Sequence, residues 1–209
     1  AVPLITIDPA DARDHDDAVH AEADADPDNR GGFVLTIAIA DVAAYVRPGS
    51  SMDAEALERG NSVYFPDRVV PMLPERISND LCSLKPGVNR AALAMRVVID
   101  ARGKKLRHSV HRVLMRSAAK LSYPQAQAAI DGRPDDVTGP LLETVLKPLW
   151  DAYGALKIAR GKRGPLDLDL PERKIILDKS GMVADIHVPE RLEAMRLIEE
   201  MMIAANVAA

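Results

Sequence analysis

Hydrophobic and polar residues follow strand-like spacing through the first half of the chain. Residues 33–46 (FVLTIAIADVAAYV) are rich in β-branched and aromatic residues and predict a largely buried strand that breaks at its internal aspartate. Residues 93–118 predict a hairpin with its turn at 101–104, because polar and apolar positions alternate in the first arm. The short stretches 4–7 and 18–22 are candidate partner strands.

Apolar residues recur at helical spacing in the second half. Residues 122–132 predict a short helix that opens with a serine N-cap and a glutamine three positions later. Residues 138–162 predict a longer helix with a kink at Pro148. Residues 189–209 predict a buried helix with Pro189 in its first turn.

Two proline-containing segments have no helical period. Residues 61–84 predict an ordered functional loop or a long connector, and residues 165–188 predict a polar hairpin with its turn at 178–181. The expected fold is therefore α+β, with a mainly antiparallel sheet in the front half and helices packed on it.

Composition places the chain among ordinary globular proteins. Its 209 residues are 47% hydrophobic and 28% charged, which suits one large domain or two small ones. The single cysteine, Cys82, excludes an internal disulfide and a cysteine-rich zinc site and favours a reducing compartment, so we expect a cytoplasmic protein. No apolar run approaches the roughly 18 residues of a membrane span, and we expect no membrane partner.

Charge is unevenly distributed along the chain. The formal net charge is −4, yet acidic residues dominate positions 1–28, whereas residues 102–116 and 157–164 are basic. This division is compatible with a cation site beside a path for a polyanion. Charge alone fits solvated charged faces equally well.

Residues 8–17 (DPADARDHDD) hold the candidate chemistry. Two carboxylates about 4 Å apart repel by roughly 4 kcal/mol at the effective dielectric of a protein surface, so a cluster needs a counter-charge. Mg²⁺ prefers carboxylate oxygens, and a pair of such ions would suit phosphodiester hydrolysis. An EF-hand is excluded, because the sixth position counted from Asp14 is Val19 rather than glycine. The alternative is an acidic turn held by Arg13, backbone amides and solvent.

Five blocks of the chain carry a family resemblance: residues 6–19 (TIDPADARDHDDAV), 40–50, 60–87, 116–132 and 198–209. They resemble the ribonuclease II and ribonuclease R (RNB) family of exoribonucleases, and in detail the ribonuclease R branch. Members hydrolyse RNA from the 3′ end, processively and with Mg²⁺, and release nucleoside 5′-monophosphates. The resemblance implies the same activity here, with Mn²⁺ as an alternative ion.

The resemblance also assigns site residues. It implies that Asp16 is the aspartate most directly required for catalysis, and that Tyr64 stacks on the 3′-terminal base. Tyr123 and Glu199 match positions that contact the substrate and help to distinguish RNA from DNA. Asp11 lies outside the set, and His15 is not expected to be a ligand. The implied metal-binding aspartates are Asp8, Asp14, Asp16 and Asp17.

The resemblance covers only part of a family member. It implies that residues 1–209 are the N-terminal portion of one RNB catalytic domain, without the cold-shock and S1 domains of the OB-fold type. The expected partners are the 3′ end of single-stranded RNA, the remainder of the domain and those flanking domains. A second stacking aromatic is absent from residues 165–171. The fragment alone is expected to be weakly active or inactive, and the rival reading is a catalytically inactive RNA-binding module.

Overall fold

A computed structural model describes residues 2–164 and 173–209. The strands are β1 (Ile5–Asp8), β2 (Asp17–Ala23), β3 (Phe33–Ala40), β4 (Val63–Tyr64), β5 (Val69–Val70), β6 (Asn89–Ile99), β7 (Lys105–Arg116), β8 (Ala119–Ser122), β9 (Lys174–Leu177) and β10 (Val183–His187). The helices are α1 (Ser51–Arg59), α2 (Tyr123–Ile130), α3 (Gly139–Leu141), α4 (Lys147–Arg163) and α5 (Glu193–Ala208).

Six strands form one sheet in the order β7-β6-β3-β2-β1-β8. All neighbours are antiparallel except β1 and β8, which run parallel. The predicted α+β fold with a mainly antiparallel sheet is therefore confirmed. Strand β3 ends at Ala40, because Asp41 precedes a 3₁₀ turn over Val42–Ala44.

The main hydrophobic core lies between the sheet and the helices α2, α4 and α5. Inward residues of the sheet such as Ile7 and Leu35 pack there with Leu149 of α4 and Leu197 of α5, and all four are almost completely buried. A smaller core includes Cys82, which is 5% exposed. Burying aliphatic side chains of this size contributes roughly 1.5–3 kcal/mol each.

The predicted helices are present, but one is divided internally and another begins later than predicted. Helix α2 has the expected capping box between Ser122 and Gln125. The predicted helix over 138–162 is divided by a π-helical turn at Leu142–Leu146, immediately before Pro148, which has no N–H to continue the α pattern. The prediction that the last helix opens at Pro189 was wrong.

Helix α5 begins four residues later because a neighbouring helix caps it. Leu192 occupies the N-cap in an extended conformation, and its side chain makes no capping hydrogen bond. Gln127 of α2 instead accepts a hydrogen bond through Oε1 from the backbone N–H of Ala194. This tertiary contact satisfies one of the free donors at the helix start.

Segments without a clear sequence period are structured. The predicted loop over 61–84 contains the β4–β5 hairpin and a π-helical turn at Ile77–Leu81. The predicted hairpin over 165–188 is present as β9 and β10, although its first part and the missing aromatic at 165–171 lie outside the described residues. Among the described residues, no helix is long and apolar enough to cross a bilayer.

Candidate active site

Residues 8–17 form an acidic loop, which connects the adjacent strands β1 and β2 at one end of the sheet. Asp8 is the last residue of β1 and Asp17 is the first residue of β2. Because Ile5 pairs with Val19 in this antiparallel ladder, the two aspartates lie at the same end of the sheet. Asp14 and Asp16 belong to the connecting loop. The sequence therefore places all four predicted aspartates within one turn.

Backbone hydrogen bonds fix the course of this loop. The carbonyl oxygen of Asp16 accepts from the N–H of Ala40, at 2.8 Å. The N–H of His15 donates to Ser83 Oγ at 3.1 Å, and its carbonyl accepts from the N–H of Leu84 at 2.7 Å. The loop is thus held from two sides, by the end of β3 and by the segment that follows the π-helical turn.

Lysine and arginine partners of the four carboxylates are absent from the described residues. In the described ranges 2–164 and 173–209, no lysine or arginine forms an ion pair with Asp8, Asp14, Asp16 or Asp17. Asp8 accepts instead from His15 Nδ1 at 2.8 Å. The aspartate outside the predicted set, Asp11, does have a basic partner: Lys174 Nζ lies 3.3 Å from its Oδ2. Arg13 makes no ion pair with these aspartates among the described residues, so the alternative in which it neutralises the cluster has no support from the ion pairs.

Among the four aspartates, Asp17 has the clearest penalty against its ionised form. Burial, together with the charges of Asp16 and Asp8, raises its pKa from the usual 3.8 to about 7. Its Oδ2 atom is buried and has no hydrogen-bond partner among the described residues. A buried anionic oxygen without a partner is costly, so Asp17 favours either a proton or a bound cation.

Asp16, like Asp17, has a raised pKa. The residue is exposed. Its pKa is nevertheless raised, because nearby protein atoms exclude part of its water and because Asp14 and Asp8 repel its charge, whereas a backbone hydrogen bond opposes the shift. Adjacent carboxylates that interact this strongly titrate as a group.

The donor set fits a hard divalent cation, although no closed cage is present. The described part of the chain contains no group of three or more His, Cys, Asp or Glu side chains already arranged to hold a metal ion. Mg²⁺ usually takes only one or two protein carboxylates and completes its shell with water and substrate phosphate. The unpartnered Oδ2 of Asp17, beside further aspartates without basic partners, is consistent with that mode of binding.

Tyr64 lies beside the acidic loop on the β4–β5 hairpin. The side chain is largely exposed at 67%, and its hydroxyl makes a weak hydrogen bond of 3.5 Å to Asp14 Oδ2. Partial burial and the charges of Asp14 and Asp16 raise the pKa of its hydroxyl. An exposed ring next to the aspartates leaves a face on which a base can stack.

Tyr123 lies near the aspartates at the start of α2. Parallel pairing of β1 with β8 sets Asp8 opposite Ser122, and Tyr123 follows as the first residue of α2. Burial and the charges of Asp17, Asp8 and Asp16 raise the pKa of its hydroxyl to about 12. Its hydroxyl therefore remains a hydrogen-bond donor at neutral pH.

Glu199 has different surroundings. Its carboxylate binds Arg160 Nη1 at 3.2 Å and Arg191 Nη2 at 2.8 Å. The next residue, Glu200, is buried and binds the same Arg160 at 2.6 Å. Among the described contacts of Glu199, none reaches the aspartates or Tyr64. The structure thus brings Tyr64 and Tyr123 to the acidic loop and holds Glu199 in a separate ionic cluster on α5.

Cations from both basic tracts line a cavity of about 530 Å³ between the β6–β7 turn and the helices α4 and α5. None of the four aspartates lines it, and it lies at the opposite end of β6 from the acidic loop. Its basic residues are Arg102, Lys104, Lys105, Lys162 and Arg163.

Sequence reasoning missed two residues that shape the site. The sequence predicts only that His15 is not a metal ligand, whereas the structure shows it buried and in direct contact with Asp8. Ser83, in the segment predicted to be a loop, is also buried and binds the backbone of His15. A histidine between two aspartates was the available signal for the first contact, but no local pattern indicates the second, because 68 residues separate the partners.

Comparison with known proteins adds a family. A model of the RNB domain matches residues 1–209. Ribonuclease R of Vibrio parahaemolyticus is 43% identical over 209 residues, which are 99% of this chain and 24% of that protein. Ribonuclease R of Escherichia coli is 40% identical over 210 residues, covering 100% of this chain and 25% of that protein.

A solved structure has the same fold. Mycoplasma genitalium RNase R in complex with ribose methylated single-stranded RNA matches with a TM-score of 0.90 and 31% identity. The match covers 98% of this chain and 31% of that chain. The chain spans about a quarter of the length of the curated relatives named above.

Proposed function

Because the chain belongs to the RNB domain family, we propose that it forms the N-terminal portion of the catalytic domain of a 3′-to-5′ exoribonuclease. This enzyme hydrolyses RNA and releases nucleoside 5′-monophosphates, processively in the full-length protein. The observation that carries the proposal is the group of four aspartates at one end of the sheet. Among the described ion pairs, three of these aspartates have no partner, and Asp8 pairs only with His15.

Mg²⁺, or Mn²⁺ in its place, is the proposed cofactor, and Asp8, Asp14, Asp16 and Asp17 are its proposed ligands. When bound, such an ion supplies a counter-charge for phosphate and a more acidic water molecule. The protein's own contribution is to hold these carboxylates at fixed positions, with one oxygen of Asp17 buried and Asp16 exposed to solvent.

Two tyrosines are the proposed contacts for the last nucleotide. The exposed ring of Tyr64 would stack on the terminal base next to Asp14, which suits a nuclease that reads no base sequence. Tyr123 would donate its hydroxyl hydrogen bond to the substrate near Asp17. Glu199 is the proposed contact for the ribose 2′-hydroxyl, and it would have to exchange one of its arginine partners for the substrate.

The same proposal includes partners and location. The relative from Mycoplasma genitalium was solved with single-stranded RNA, which supports the 3′ end of such RNA as the substrate here. The remainder of the catalytic domain and flanking OB-fold domains are proposed to complete the RNA channel. A cytoplasmic location is proposed from the single buried Cys82, which suits a reducing compartment.

One observation favours a second candidate, an RNA-binding module that does not hydrolyse its ligand. Within the described residues, no three metal-binding side chains already converge. In this second candidate the acidic loop is a structural remnant, and RNA would bind without turnover.

Digestion of matched strands separates the two candidates. The full-length protein is incubated with Mg²⁺ and a 5′-labelled single-stranded RNA, or with a DNA of the same sequence. The nuclease shortens the RNA from its 3′ end, releases nucleoside 5′-monophosphates and leaves the DNA largely intact. Retention of the RNA without monophosphate release supports the binding module, and equal digestion of both strands contradicts an RNA-directed enzyme.

A further inference from the structure

His15 and Asp8 form a buried pair within the acidic loop. The ring atom Nδ1 of His15 lies 2.8 Å from Asp8 Oδ2, and the two residues are 2% and 7% exposed. An ionised carboxylate can only accept, so Nδ1 carries the proton and donates. The bond therefore occupies one oxygen of Asp8, and no described residue donates a hydrogen bond to the other.

The backbone of His15 is fixed independently of this pair. Ser83 Oγ accepts from its N–H and the N–H of Leu84 donates to its carbonyl, at 3.1 and 2.7 Å. Ser83 and Leu84 are themselves almost completely buried. Because both backbone groups of residue 15 are held, the imidazole has little freedom to leave Asp8.

Asp8 needs such a partner more than an ordinary surface aspartate does. Its charge acts on Asp16, Asp17 and Tyr123, so it lies within the repulsive field of the other carboxylates. Without a fixed donor, Asp8 would lower this repulsion by rotating away from Asp17. The donor from His15 opposes that rotation.

We propose that His15 is a positioning residue, which holds the carboxylate of Asp8 in the orientation required to bind a divalent cation together with Asp17. This inference rests on the proposed function, because it assigns a role within the same site. His15 does not contact the substrate or the ion. It acts through Asp8, in the way that an outer hydrogen-bond partner fixes a metal ligand.

The chain offers a matched control in His20. This histidine lies on β2 and is 4% exposed, but its Nδ1 has no hydrogen-bond partner among the described residues. His20→Phe removes a buried imidazole without touching a carboxylate, whereas His15→Phe removes one that contacts Asp8. His15→Asn is the conservative variant, because the amide nitrogen of asparagine, like Nδ1 of histidine, is bonded directly to Cγ and can donate.

Calorimetric titration of the full-length protein with Mn²⁺, in the absence of RNA, tests the proposal. His15→Phe is expected to weaken Mn²⁺ binding by about 10- to 100-fold, the usual cost of losing an outer-shell partner. His15→Asn recovers most of that affinity, and His20→Phe binds as the wild type does. In RNA digestion, the Mg²⁺ concentration for half-maximal activity of His15→Phe rises by a similar factor, whereas KM for RNA is unchanged.

Several results would overturn the assignment. Wild-type Mn²⁺ affinity in His15→Phe contradicts it, as does an equal loss in His20→Phe, which would indicate packing alone. Failure of His15→Asn to recover affinity contradicts the hydrogen bond. A wild type that binds Mn²⁺ but hydrolyses no RNA overturns the proposed function alone, because the affinities still decide the role of His15. A wild type that binds no Mn²⁺ overturns both.

Discussion

Replacement of Asp17 by asparagine should stabilise the metal-free protein at neutral and higher pH. The folded-state pKa of Asp17 is raised to about 7, whereas the usual value is 3.8. Between these values, the folded protein retains a proton that the unfolded chain has released. The free energy of unfolding of the wild type therefore falls as pH rises through this interval, and the full penalty is present above pH 7.

The size of the effect follows from the pKa difference. Each pKa unit corresponds to about 1.4 kcal/mol, so the rise from 3.8 to about 7 costs about 4 kcal/mol. The asparagine amide would itself remain buried without a partner, which costs roughly 1–3 kcal/mol. We therefore expect a net gain of about 1–3 kcal/mol for Asp17→Asn above pH 7, and no gain at pH 4.

Urea unfolding with EDTA, followed by far-UV circular dichroism from pH 4 to pH 8, measures this gain. Asp11→Asn is the matched control, because Asp11 is exposed and pairs only with Lys174 among described residues. Excess Mg²⁺ should stabilise the wild type more than Asp17→Asn. A variant that is no more stable than the wild type at pH 8, or a gain that does not change with pH, would refute the electrostatic reasoning.

Three further substitutions test other parts of the structure. Tyr64→Ala should weaken binding of single-stranded RNA by roughly 1–3 kcal/mol while Tyr64→Phe retains it, measured by fluorescence anisotropy; equal affinities would contradict stacking. Gly103→Ala should lower the melting temperature, because φ is +75° and a Cβ would lie 2.3 Å from the carbonyl oxygen of Ala155; an unchanged melting temperature would contradict the close approach. Arg160→Ala should destabilise the fold by about 1–3 kcal/mol, since it removes one of two described arginine partners of the buried Glu200 and leaves Arg163; an unchanged stability in urea unfolding would count against it.

Local sequence pattern predicts the antiparallel part of the fold well. The alternation in β6 and the apolar run in β3 are properties of neighbouring residues, and hairpin strands pair with their neighbours. The capping box of α2 is likewise a local signal. These elements therefore follow from the sequence without knowledge of distant contacts.

Elements that depend on distant contacts were not predicted. Strand β8 is four residues long, and it is a strand because it pairs in parallel with β1, more than 100 residues away. The start of α5 depends on Gln127 of another helix. Helix α1 was also not predicted. It buries no residue, so it has no apolar pattern, and its only local signal is the N-cap at Ser50.

The candidate site shows the same division. The spacing of aspartates predicts that they lie together, and the β1–β2 register explains why. The pair between His15 and Asp8 depends on the segment around Ser83, which holds the backbone of His15 and which no local pattern indicates. Sequence therefore identifies which groups meet, whereas the structure shows which of them is deprived of water.

The most direct test of the central claim is to compare wild type and Asp16→Asn in the full-length protein, measuring nucleoside 5′-monophosphate release and RNA affinity in the same Mg²⁺ buffer. Asp16 is exposed, so its replacement should leave the fold and RNA binding nearly intact. The account predicts that monophosphate release is abolished while the Kd for RNA is almost unchanged. Release at the wild-type rate by Asp16→Asn would contradict it.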